Sequence, residues 1–166
     1  MTIKYKKILK EGVIYLILFI VISYGINFYK TLNVINGKAP DLIEKTITGE
    51  VVDLKAINKP VLVHFWATWC PICSIEQDSI QSISSDYEVI SIALQSGDES
   101  TLQVFMQDQG LSFKVIADDN GELSKLWGVK GVPSSFIISS TNDIQFVDVG
   151  YTSEIGLRVK LWWVSE

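Results

Sequence analysis

Phe65-Trp66-Ala67-Thr68-Trp69-Cys70-Pro71-Ile72-Cys73 holds the only two cysteines of the 166-residue chain, two positions apart. An apolar run, Val61 to Trp66, leads into this stretch, and a helix-like segment, Ser74 to Asp86, leads out of it. A strand that ends in a Cys-x-x-Cys turn, with the second cysteine inside a helix, has the layout of a redox device. The first cysteine then sits at a helix N-terminus, where free backbone N–H groups and the helix dipole favour an anionic, nucleophilic sulfur. Pro71 suits the first helical turn, where its missing N–H costs nothing. Cys70 is therefore read as the attacking thiolate and Cys73 as the resolving thiol, with Cys70–Cys73 as a redox-active disulfide.

Other readings of the pair are less well supplied. A structural zinc site takes about four ligands, and His64 is the only histidine available, so no metal is expected. A purely structural bridge across so short a loop removes little unfolded-state entropy. Two inert buried thiols would need an apolar setting rather than a turn behind Trp69.

Working outward, residues 42–46 and 51–54 flank Thr48-Gly49 as a hairpin. Val61 to Trp66 reads as a buried central strand, and the next helix spaces Ile75, Ile80 and Ile83 on one face. Glu88 to Leu94 is a strand, Glu99 to Gln109 a helix with Leu102, Phe105 and Met106 inward, and Phe113 to Ala117 a strand. Asp118 to Gly121 is a turn, Leu123 to Trp127 a short helix closed by Gly128. Pro133 to Ser139 and Ile144 to Val149 form a hairpin, and Ser153 to Val164 a terminal helix in which Trp162 and Trp163 read as core, the alternative being contact with a membrane or partner. The domains expected are a cytoplasmic N-terminus at 1–11, a transmembrane anchor at 12–29, a linker at 30–38 and an α/β domain at 39–166.

The anchor rests on GVIYLILFIVISYGINFY, residues 12–29, in which Ser23 and Asn27 are the clearly polar members. At ~1.5 Å per residue this run approaches the ~30 Å hydrocarbon thickness of a bilayer. Lys4, Lys6, Lys7 and Lys10 precede it, which puts the N-terminus in the cytoplasm and the rest outside. A cleaved signal peptide is the rival, but no Ala-x-Ala site follows. From residue 40 onward, 8 Lys and Arg stand against 18 Asp and Glu, a net charge of −10. Such a surface argues against nucleic acid and suits a soluble monomeric domain.

The string FWATWCPIC, with Gly131-Val132-Pro133 some sixty residues on, resembles the thioredoxin fold of the TlpA-like group, and within it the membrane-anchored suppressor-of-copper-sensitivity D type. The resemblance spans about residues 39–166. It implies a central mixed sheet flanked by helices, with an insertion between the two halves of the core. It also implies that Pro133 is cis and faces the cysteines, the alternative being a trans proline that opens an edge strand. The Val132 backbone would pair with a substrate strand, and Trp69 would be the exposed aromatic over the site, with Trp66 packed beneath. Glu76, where such proteins often carry a glutamate, is either a proton carrier or an ordinary residue of the first helical turn. His64 departs from the Asp or Asn common at its position. It is either a proton carrier for Cys73 or a buried neutral ring bonded to the backbone.

The function expected is a thiol–disulfide oxidoreductase of the bacterial inner membrane, single-pass, with its catalytic domain in the periplasm. It would reduce substrate proteins by thiol–disulfide exchange, need no cofactor, and be re-reduced by a transmembrane electron donor. A Cu(I)-binding module and a disulfide oxidase on the same fold are the alternatives. Copper proteins of the Sco type use a longer Cys spacing and a downstream His that this chain lacks. A peroxidase would want Thr three residues before the cysteine, where Ala67 stands.

Overall fold

The computed structural model describes residues 11–15, 17–18, 21–22 and 37–166. The chain divides into two compact units, Met1–Leu32 and Asn33–Glu166. In the first, residues 11–15, 17–18 and 21–22 are helical, and Val13, Ile14, Tyr15, Ile17, Leu18, Val21 and Ile22 are exposed. Among the described residues no helix is long and apolar enough to cross a membrane. Positions 16, 19, 20 and 23–29 of the expected anchor lie outside them.

The second unit is built on a six-stranded mixed sheet of order β1-β8-β7-β4-β5-β6. Its strands are β1 (Gly37–Lys38), β4 (Val61–Trp66), β5 (Glu88–Leu94), β6 (Lys114–Asp118), β7 (Ser134–Ile138) and β8 (Asp143–Val149). The hairpin of β2 (Ile43–Lys45) and β3 (Val51–Asp53) stands apart from it. β4, β5 and β6 run parallel, so each crossover carries a helix: α1 (Pro71–Ser84) and α2 (Glu99–Asp108). The short α3 (Glu122–Leu126) leads back to β7, antiparallel to β4, and α4 (Glu154–Ser165) closes the chain. This is a thioredoxin-like α/β fold.

Every residue of β4 is buried, as expected of a central strand covered on both faces. Period-two alternation sends Leu62 and Trp66 into one core with Cys73, Ile80, Ile83, Leu102, Leu157 and Leu161. Val61, Val63 and Phe65 enter a second core with Ile90, Ile92, Trp127 and Phe136. Phe65, Trp127 and Phe136 pack there with ring centroids 5.1–5.7 Å apart, edge-on or tilted. α1, α2 and α4 contribute to the first core, and Trp127, just past α3, to the second.

Three expectations need correction. The linker drawn over 30–38 ends in structure, because Gly37 and Lys38 pair with Ile144 and Asp143 at the start of β8. Ile75 is 67% exposed, and the buried face of α1 is Cys73, Glu76, Gln77, Ile80 and Ile83. Ile75 stands five positions before Ile80, about 140° round the axis at 3.6 residues per turn, so the two do not share a face. Trp162 and Trp163 are 54% and 68% exposed, since Leu157 and Leu161 hold the inner face of α4.

Register also fixes the poles of the sheet. Ile144 is level with Ile138, and Ile138 with Val61, so β1 joins the sheet level with the beginning of β4, with β8 and β7 between them. The cysteines lie past the other end of β4.

Candidate active site

Cys70 is the N-cap of α1, with extended backbone and with its sulfur accepting the N–H of Cys73 at 3.2 Å. That position usually falls to Ser, Thr, Asp or Asn, whose oxygen satisfies one of the helix's free N–H groups. Here a sulfur takes the part, Pro71 follows in the first turn, and no acidic side chain competes for the positive end of the dipole. Cys70 and Cys73 are joined as a disulfide, with Cα atoms 5.3 Å apart.

Cys70 is 5% exposed and Cys73 1%. In the reduced protein, Cys70 is expected to be alkylated much faster than Cys73 near neutral pH, since it is the more accessible sulfur and the one at the helix terminus. Mass-spectrometric mapping of a short iodoacetamide pulse checks this, and equal labelling would remove the assignment.

The Val132–Pro133 bond is cis, as the resemblance implies, and the Val132 carbonyl oxygen lies 3.7 Å from the Cys70 sulfur. The two motifs, sixty residues apart in sequence, thus meet. Trp69 is 58% exposed and donates its indole N–H to the carbonyl of Gln95 at 3.0 Å. Trp66 lies beneath, buried, donating to the Ser91 hydroxyl. Ser96 braces the turn by accepting the Thr68 N–H at 3.0 Å while donating to the Leu94 carbonyl. Gln95 and Ser96 were not read from the sequence. Their signal is the Gln-Ser-Gly turn after β5, in which Gln95 has φ 45° and Gly97 φ 94°.

Glu76 is 1% exposed, in the second turn of α1 rather than the first. Its Oε1 accepts the backbone N–H of Thr152, and its Oε2 has no partner among the described residues. Burial pushes its carboxyl up to about 7, against the Thr152 hydrogen bond, and the charge of Asp148 adds to the rise. His64 is 2% exposed on the same face of β4 as Leu62 and Trp66. Its Nδ1 lies 2.9 Å from the Ser135 hydroxyl, its cross-strand partner, so a side chain rather than the backbone satisfies it. Burial lowers its pKa to about 4 and keeps the ring neutral.

A cavity of about 510 Å³ lies at the opposite pole. On its wall Lys59, Glu50, Glu88 and Lys114 pair with one another. The site itself is an open turn in which one sulfur faces a peptide carbonyl, a geometry suited to exchange with an extended chain.

Residues 35–147 match the AhpC/TSA family. The chain is 30% identical over 165 residues to a thioredoxin-like protein of Haemophilus influenzae, covering 98% of each. It is 30% identical over 126 residues to thiol-disulfide oxidoreductase ResA of Oceanobacillus iheyensis, covering 70% of this chain and 65% of that one. In structure it resembles a thiol:disulfide interchange protein of the thioredoxin family from Chlorobium tepidum, with a TM-score of 0.69 at 22% identity over 80% of this chain and 98% of the other. The chain thus belongs to the AhpC/TSA family, as a thioredoxin-like thiol–disulfide oxidoreductase.

Proposed function

We propose that the protein is a membrane-anchored, periplasmic reductant of protein disulfides, of the TlpA-like suppressor-of-copper-sensitivity D type. The observation that carries the reading is the Cys70 sulfur, capping α1 and facing the Val132 carbonyl across the cis-proline turn. The thiolate of Cys70 attacks a substrate disulfide, forms a mixed disulfide and releases one substrate thiolate. Cys73 gives up its proton and attacks the Cys70 sulfur, which releases the second thiolate and leaves Cys70–Cys73 oxidised. Val132, Pro133 and Trp69 shape the mouth of the site. Glu76, with a pKa near neutrality, suits proton transfer during exchange, and His64 supports the strand below.

Support for the anchor comes from the apolar run at 12–29, from the exposed apolar side chains of its described helical residues, and from the lysines ahead of it. That topology sets a monomeric domain in the periplasm of a bacterial inner-membrane protein, where a transmembrane electron donor returns it to the dithiol. The suppressor-of-copper-sensitivity D assignment is supported by FWATWCPIC together with Gly131-Val132-Pro133.

Direction is tested by acid-quenched thiol trapping in growing cells, beside a measured reduction potential. The expected result is a pair found mainly as dithiol. A pair found mainly as disulfide, with a potential near the oxidising end of the known range, would make the protein an oxidase.

A further inference from the structure

We propose that the cavity beside the redox turn docks an acidic segment of the disulfide-bearing polypeptide substrate, with Lys125 and Lys130 as its counter-charges. This rests on the exchange reading above and names the substrate class that the site selects.

The cavity, about 350 Å³, is lined by Leu94, Gln95, Asn120, Lys125, Val129 and Lys130 among others. It opens past the C-terminal ends of β5 and β6, on the same sheet edge from which β4 delivers Cys70. Open α/β sheets take their ligands at that edge. Two backbone links join it to the redox turn. Gln95 lines the cavity and, through its carbonyl, holds the indole of Trp69. Lys130 lines it and lies two residues before Val132, whose carbonyl faces the Cys70 sulfur. A polypeptide crossing the sulfur therefore has this depression next along its path.

Charge identifies what fits. Lys38, Lys55, Lys59, Lys114, Arg158 and Lys160 are all held in ion pairs. Among the described residues Lys125 and Lys130 form none, and both are exposed; Lys45 also forms none, but it stands on the β2–β3 hairpin and does not line the cavity. Lys125 and Lys130 are the only charged side chains on the cavity wall. The nearby Asp118 is no counter-ion, since its oxygens take the N–H groups of Leu123 and Ser124 and the Ser124 hydroxyl. Asp119, in the turn after β6, and Glu122, at the start of α3, do not line the cavity. In a domain otherwise dominated by carboxylates, two free ammonium groups beside the apolar Leu94 and Val129 select a segment carrying both acidic and apolar side chains. Opposite charges at the rim raise the association rate and exclude partners of the wrong sign.

The test uses the full chain and three substrates: a peptide with an internal disulfide flanked by Asp and Glu, the same peptide flanked by Lys, and neutral hydroxyethyl disulfide. The native protein is expected to reduce the acidic peptide about tenfold faster in kcat/KM than the basic one, with the preference shrinking at high salt. In Lys125→Glu/Lys130→Glu the preference reverses, and in Lys125→Gln/Lys130→Gln it vanishes, while hydroxyethyl disulfide turns over at the native rate in both. Equal rates for the two peptides in the native protein, or a preference that survives both double variants, would overturn the proposal. Failure of the native protein to turn over any of the three would instead strike the exchange reading itself, and the docking site with it.

Discussion

Cys73→Ser is expected to accumulate as a mixed disulfide through Cys70 with its substrate proteins, whereas Cys70→Ser forms no such adduct and loses exchange by about a thousandfold or more. The asymmetry follows from position. Cys70 caps the helix and faces the Val132 carbonyl, so an incoming disulfide can lie along that turn. Cys73 is 1% exposed within the first core, and its sulfur is reached only from Cys70. Without Cys73 the mixed disulfide has no internal attacker, and it persists until an outside thiol arrives. Non-reducing electrophoresis followed by mass spectrometry of the trapped species reads both variants. Trapping by Cys70→Ser, or unimpaired turnover without adducts by Cys73→Ser, would reverse the two roles.

The second large effect is on stability. Burial raises the Glu76 pKa from 4.5 to about 7 and lowers that of His64 from 6.5 to about 4. Between pH 4.5 and 7 the unfolded chain has ionised at Glu76 while the native protein still holds the proton, so stability falls as pH rises. Between pH 6.5 and 4 the unfolded chain has taken up a proton at His64 while the native protein has not, so stability falls as pH drops. Over pH 4.5–6.5, where the two ranges overlap, the slopes oppose each other, each about 1.4 kcal/mol per pH unit. The native oxidised protein should be nearly flat there. Glu76→Gln leaves the His64 slope and gains about 3 kcal/mol between the two ends as pH rises, and His64→Asn loses about as much. Glu88 and Glu154 are held below the ordinary value, so their contributions change beneath this window. Urea unfolding at pH 4.5, 5.5 and 6.5 measures all three proteins, and parallel profiles would show that neither group is buried in the native state as described.

The same two residues mark where reading from sequence runs out. Local signals carried far: the all-buried β4, the Cys-Pro turn, the terminal helix α4 and Gly128 after α3 all follow from periodicity or capping chemistry. The meeting of Cys70 with Val132 came through resemblance, not through anything local. His64 and Ser135 are 71 residues apart and become neighbours only through the register of β4 with β7, which no window of sequence contains. Glu76 was ambiguous because its burial and its partner, the Thr152 N–H, come from a segment 76 residues away. Ile75 went wrong because the inner face of α1 carries Glu76 and Gln77, so apolar residues alone pointed to the wrong side. Trp162 and Trp163 show that large apolar side chains are not bound to the interior.

The register of β1 bears on traffic at the disulfide. Gly37 is level with Val61, and β4 then climbs five residues to Trp66, about 17 Å at the usual strand rise, before the cysteines are reached. The strand by which the chain enters the sheet and the redox turn thus lie toward opposite ends of β4. Whatever reduces the disulfide and whatever the dithiol reduces must both meet one sulfur, over one peptide carbonyl. They cannot be there together, so electrons enter and leave by the same door in alternate visits, and each visit must end before the next begins.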